Sequence, residues 1–169
     1  MNAYQSLTGN WKKNNIVTFH DRRWLVLRKG KKNSTLFCLD ALGEYDHEQG
    51  SWMADHFGDK LNGLIFPKGK PSNDEALEIK REKPQYEGLS FISRIPSVYD
   101  LTEKLYPALI DEVNENLVTG KDYWLSNYCG YIGDNEYHFI DNKGKRRYCK
   151  GSDKRSISPL LIVISKEEE

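Results

Sequence analysis

The run Leu160-Leu161-Ile162-Val163-Ile164 constrains the fold more than any other stretch of this chain. In a strand, successive side chains point to opposite faces, so an unbroken apolar run requires cover on both. An edge position would leave one apolar face in water. The run therefore predicts a buried central strand, with earlier strands coming round to cover it. The stretch before it predicts a hairpin: Glu136 to Asp141 alternates, Asn142-Lys143-Gly144 turns, and Lys145 to Lys150 returns. Gly144 supplies the positive φ that such a turn needs. Upstream, Lys121 to Tyr128 reads as a further strand that buries Tyr123 and Trp124.

The first half of the chain predicts a three-stranded meander. Ile16 to His20 and Trp24 to Arg28 pair across Asp21-Arg22-Arg23, Lys29 to Asn33 is a charged turn, and Ser34 to Asp40 is the third strand. Residues 1–14 read as a loose lead-in anchored by Trp11. Gly43 to Gly50 reads as an acidic loop, followed by a helix capped by Ser51 and running through Asn62. Lys68 to Asn73 is a surface loop, and Asp74 to Arg81 is a short helix or edge strand ended by Pro84. Gly88 to Arg94 is a strand. Ser97 and Asp100 have the spacing of a capping box, and Val98, Leu101 and Leu105 mark one helix face. Pro107 restarts a helix in which Leu109, Ile110, Val113 and Leu117 recur, ended by Thr119-Gly120.

With 169 residues, no repeat and no linker, the chain suits one α+β domain over residues 15–165, with a charged tail at 166–169. Lys plus Arg and Asp plus Glu both total 25, so no global field draws the chain to nucleic acid or to a membrane. Electrostatic partners must be argued from local patches. The N-terminus lacks the basic and apolar regions of a signal peptide, and no stretch approaches the roughly 20 apolar residues of a bilayer span. The expected location is the cytoplasm, with virion association as a further option.

The order of these pieces resembles the bacterial and phage branch of the C-type-lectin-like fold. The resemblance rests on Ile95-Pro96-Ser97 at a helix start, Tyr123-Trp124-Leu125-Ser126 in a strand, the Asp141 to Gly144 hairpin, and Arg155-Ser156-Ile157-Ser158-Pro159 at the closing strand. It implies antiparallel sheets with two helical segments, pairing of N- and C-terminal strands, and long loops displayed for binding. Relatives of that kind include phage receptor-binding tips, retroelement-diversified variable proteins and formylglycine-generating enzymes, so fold alone does not choose a function. The calcium-lectin signatures Glu-Pro-Asn and Trp-Asn-Asp are absent, the position before the closing proline is Ser158 rather than arginine, and a paired-cysteine catalytic site is not evident.

The chemistry points first to a non-enzymatic binding module. Its contact residues would be Asn127, Tyr128, Tyr131, Asp134, Asn135, Tyr137, Arg147 and Lys150, taking a protein, glycan or anionic ligand. Lys143 to Arg155 carries seven cations around Tyr148, which either grip an anion or guard a solvated strand edge with lysine. Nucleic acid is a less favoured partner, and the oligomeric state is open. No cofactor, metal or catalytic residue is expected. Asp46-His47-Glu48 and Asp55-His56 are acid–histidine pairs, but lack the spacing that would put two imidazoles on one helix face. Two alternatives remain: a cysteine/histidine enzyme or nucleotide-handling protein using Cys129, His138 and the basic hairpin, and an inhibitor that binds a host defence protein. Cys129 and Cys149 either form a bridge across the hairpin or are idle thiols.

Overall fold

A computed structural model describes residues 1–66, 86–102, 112–128 and 136–167. The regions read from sequence as the 68–73 loop, the 74–81 element and the start of the Pro107 helix fall outside them. The described residues form two five-stranded sheets with helices against them, a mixed α+β architecture that is antiparallel almost throughout.

The lead-in is ordered rather than loose. Asn2 caps helix α1 (Ala3–Thr8) in a capping box with Gln5. The buried Tyr4 hydroxyl, 2.7 Å from both atoms, donates to the Gly30 carbonyl and meets the Ser34 hydroxyl. Trp11 is buried, as expected of an anchor.

The meander forms as β1 (Ile16–Phe19), β2 (Arg22–Lys29) and β3 (Asn33–Cys38). Its first turn is one step earlier than the sequence indicates. His20 and Asp21 both adopt positive φ, 50° and 59°, which gives a two-residue turn of the handedness that suits twisted strands. Arg22 and Arg23 are then free to start β2, and both hold the end of the meander. Arg22 donates to the Asp40 and Ala41 carbonyls, and the Arg23 guanidinium pairs with the Asp40 carboxylate at 2.9 Å.

The acidic loop is also more structured than expected. Glu44–Tyr45 is a short strand, β4, and helix α2 (His47–Ile65) begins before Ser51. Asp46 is its cap, in a capping box with Gln49. Gly50 does not end the acidic loop; it lies in the first turns of α2, where a Cβ would sit 3.1 Å from Ile95 and 3.2 Å from Ile157. Asn62 ties α2 to β5 (Leu89–Arg94) by donating to the Phe91 carbonyl and accepting from the Ser93 hydroxyl.

The Ser97 turn keeps half of the expected capping box: the Asp100 carboxylate accepts from the Ser97 amide at 2.8 Å while also gripping Arg94. The expected helical face at Val113 and Leu117 is not α-helical. The Val113 amide donates to Gly144, Glu112 bridges to Lys145, and Leu117 lies in a 3₁₀ turn (Glu115–Leu117) capped by Asn114.

The second sheet uses β6 (Tyr123–Tyr128), β7 (Glu136–Ile140), β8 (Arg146–Lys150) and β9 (Arg155–Ser156), in the order β4-β9-β6-β7-β8. Strand β10 (Leu160–Ser165) takes a central place, as its sequence requires, but not in the hairpin's sheet. It lies between β3 and β5 in the order β1-β2-β3-β10-β5. The chain crosses between sheets at Ile157-Ser158-Pro159, all three buried.

Three apolar clusters follow. Leu161 and Val163 face α1 and α2, beside Trp24, Leu36 and Phe66. Leu160 faces the other way and packs with Phe37, Tyr123, Leu125 and Ile140 between the sheets. Trp124, Phe139 and Ile157 form the third with Leu61 and Ile95, on the far face of the second sheet. That two-sided cover fixes β7 firmly, which leaves β8 as the last strand of its sheet.

Candidate functional site

The β7–β8 hairpin is built around Asp141. One carboxylate oxygen accepts from the Lys143 and Lys145 amides, each at 2.9 Å, and the other accepts from Arg147 Nε at 2.7 Å. Burial pushes this carboxyl upward, but the Arg147 hydrogen bond, the two amides and the Arg147 charge outweigh it and hold the carboxyl at about 2. Gly144 has φ +90°, and a Cβ there would lie 2.8 Å from Val118, so the turn needs glycine for both conformation and space.

The register of β7 on β8 sorts the hairpin into two faces. Tyr137 pairs with Cys149 and Phe139 with Arg147; His138 pairs with Tyr148 and Glu136 with Lys150. Directly opposed residues share a face. On the first face, Tyr137 stacks on His47 at 3.7 Å between ring centroids, and His47 meets Trp124 edge-on at 5.3 Å. Gly151 makes room for this: a Cβ there would lie 2.7 Å from the Tyr137 ring. Burial lowers the His47 pKa, opposed by its contact with the Leu125 carbonyl and by the Asp46 charge. Arg155 lies over Phe139 at 4.6 Å and pairs with Asp122 at 3.4 Å.

On the second face, Tyr148 is 52% exposed and Lys150 is exposed. His138 lies beside Tyr148, with its pKa lowered by burial and then by the Arg146 charge. Among the described residues, Lys143, Lys145, Lys150 and Lys154 form no ion pair. Between Lys143 and Arg155 the single carboxylate is Asp153, so the returning strand is positive on a chain of zero net charge, with Glu136 opposite Lys150 on β7.

The contact residues expected from sequence do not all converge. Tyr137 is packed against His47, Arg147 is engaged by Asp141 on the same face, and Lys150 projects from the opposite face. Asn127 and Tyr128 end β6, with side chains outside the described set; Tyr131, Asp134 and Asn135 lie outside the described residues. The exposed Tyr148 and the organising Asp141 were absent from that expected contact set. The signal for Asp141 was local: a carboxylate at the mouth of a glycine turn, two and four residues before the amides it binds.

The thiols that the structure describes are not poised for nucleophilic chemistry. Cys38 and Cys149 are free, so the bridge considered for Cys149 is not formed. Burial pushes Cys38 up to about 12 and Cys149 up to about 11. Cys129, the expected partner of His138, lies outside the described residues. Cys149 and His138 point to opposite faces of the hairpin. Among the described residues, no group of three His, Cys, Asp or Glu side chains could hold a metal ion, and no helix is long and apolar enough to cross a membrane. A cleft of about 720 Å³ opens beside Leu25 and Leu27, between Leu101 and Leu117.

Compared with protein-family models, curated proteins and solved structures, the chain matches none of them.

Proposed function

We propose that this chain is a non-enzymatic binding module, a C-type-lectin-like scaffold that presents the β7–β8 hairpin to an anionic protein or glycan. Support for the scaffold comes from its two largely antiparallel sheets, its central β10 and the N-terminal strand β3 that pairs with it. The observation that carries the binding reading is the cluster of exposed lysines on and after the hairpin, which Glu112 and Glu136 offset only in part. Lys143, Lys145, Lys150 and Lys154 are exposed without an ion-pair partner among the described residues, and Asp141 fixes the turn that carries Lys143 and Lys145. Cations held on a rigid hairpin attract a polyanion without the ordering cost of a flexible tail.

Retention on immobilised heparin tests this. The triple variant Lys143→Glu, Lys150→Glu, Lys154→Glu should elute at clearly lower salt than the wild type, with a melting temperature within about 2 °C of it, as exposed charge changes seldom cost much stability. A control variant, Lys12→Glu, Lys31→Glu, Lys32→Glu, has the same net charge and should elute close to the wild type. Equal loss in both variants would reduce the effect to net charge and end the proposal.

A further inference from the structure

We propose that capture by the hairpin is proton-linked: His138 is neutral in the free protein and takes up a proton when a polyanion binds the lysines around it, so affinity rises in mild acid. This rests on the binding reading above and names its regulation.

Three observations carry it. First, the pairing of β7 with β8 sets His138 within the basic face. Tyr148 lies directly opposite, and Arg146 and Lys150 stand two residues to either side of Tyr148, so all four share one face. Tyr148 and Lys150 are exposed, and His138 is half-buried. Second, the ring is held in a way that opposes charge. Its Nδ1 is buried without a hydrogen-bond partner among the described residues. A neutral ring can leave this nitrogen bare, whereas protonation puts an N–H on it with no acceptor, a group that is costly to bury. Burial, and then the Arg146 charge, hold the pKa below the ordinary 6.5. Third, the charges near the ring are ones that a polyanion would offset. On β7, Glu136 precedes His138 by two residues and is set against Lys150; on β8 stand Arg146 and Lys150; β6, on the other side of β7, brings tyrosines and no charge. Anionic groups held by Lys143, Lys150 and Lys154 oppose the field of Arg146 and favour the imidazolium. Proton uptake and polyanion binding then strengthen each other by the same factor. His138 is the single histidine between Glu136 and Arg155, and the lysines and arginines there stay charged in mild acid.

The test measures the affinity of the whole chain for a heparin oligosaccharide at pH 7.5 and 5.5, at fixed ionic strength. Wild type is compared with His138→Gln, whose side chain is polar and stays neutral. One proton bounds the gain at about ten-fold per pH unit, and wild type should gain at least about three-fold more than His138→Gln between the two pH values. Charge gained by His20, His47 and His56 is common to both proteins and cancels in the comparison. The ring C–H resonances of His138, followed through a pH titration of the wild type, report the same step directly. Saturating oligosaccharide should move their midpoint upward.

An equal gain in both proteins would overturn the inference while leaving the binding module intact. So would a His138 midpoint that the oligosaccharide does not move, a measurement that needs no variant and stands even where His138→Gln fails to fold. If heparin binds at neither pH, the binding reading fails and this one falls with it.

Discussion

Replacing Asp141 tests the feature on which the whole hairpin depends. The side chain accepts two backbone amides and one guanidinium, and is only 12% exposed, whereas Arg147 is 57% exposed. Two backbone amide bonds to the carboxylate and one from the solvent-exposed guanidinium, at about 1 kcal/mol each, give roughly 3 kcal/mol for Asp141→Ala. For a chain of this length that is a fall of roughly 6–12 °C in melting temperature, measured by circular dichroism. Asp141→Asn keeps an oxygen for the two amides and loses the ion pair, so it should cost about 1 kcal/mol, or roughly 2–4 °C. The two variants also differ with pH. The folded carboxyl titrates at about 2 and its ordinary value is 3.8, so its stabilisation is complete above pH 3.8 and is lost as pH falls through 2. The gap between wild type and Asp141→Asn should therefore close across that window. An Asp141→Ala melting temperature within a degree of wild type, or a gap that does not change with pH, would refute the account of the turn.

Two further outcomes concern the His47–Tyr137 stack. Gly151→Ala puts a methyl group 2.7 Å from the Tyr137 ring and should cost about 1–3 kcal/mol in urea denaturation; an unchanged midpoint would show that the ring yields freely. Burial lowers the His47 pKa below its ordinary 6.5, so the unfolded chain takes up the proton more readily and stability should decline as pH falls below 6.5. His138 shifts in the same direction. The measurement is therefore the difference between wild type and His47→Phe in the change of urea midpoint from pH 7.5 to 5.5, and identical changes would count against a neutral, packed His47.

Much of the fold was legible because its signals are local. The alternation in Glu136 to Ile140, the glycine turn at Gly144 and the unbroken apolar run of β10 each declare an element from its own residues. The identity of β10's neighbours was not legible. Phe37 and Arg94, which flank Leu160, are far away in the chain, and nothing in the run says that it leaves the hairpin's sheet at Pro159. The start of α2 was written in Asp46 and Gln49, a capping box, but Gly50 and Ser51 read as a loop and a cap because the packing of Gly50 against Ile95 and Ile157 is tertiary. The site was partly legible. Composition identified the positive hairpin, while the pairing of His47 with Tyr137 across the fold, which turns an expected contact residue into a packed one, leaves no trace in sequence.

The position of β10 also sets the order of events during synthesis. Residues 33–38 and 89–94 emerge from the ribosome long before residues 160–165, and until then β3 and β5 lack the strand that joins them. The first sheet must wait as two separate hydrophobic edges, open to mispairing between nascent chains. A stop codon just ahead of Leu160 would leave the basic hairpin translated in full, yet yield a polypeptide that aggregates rather than one that has lost a tail.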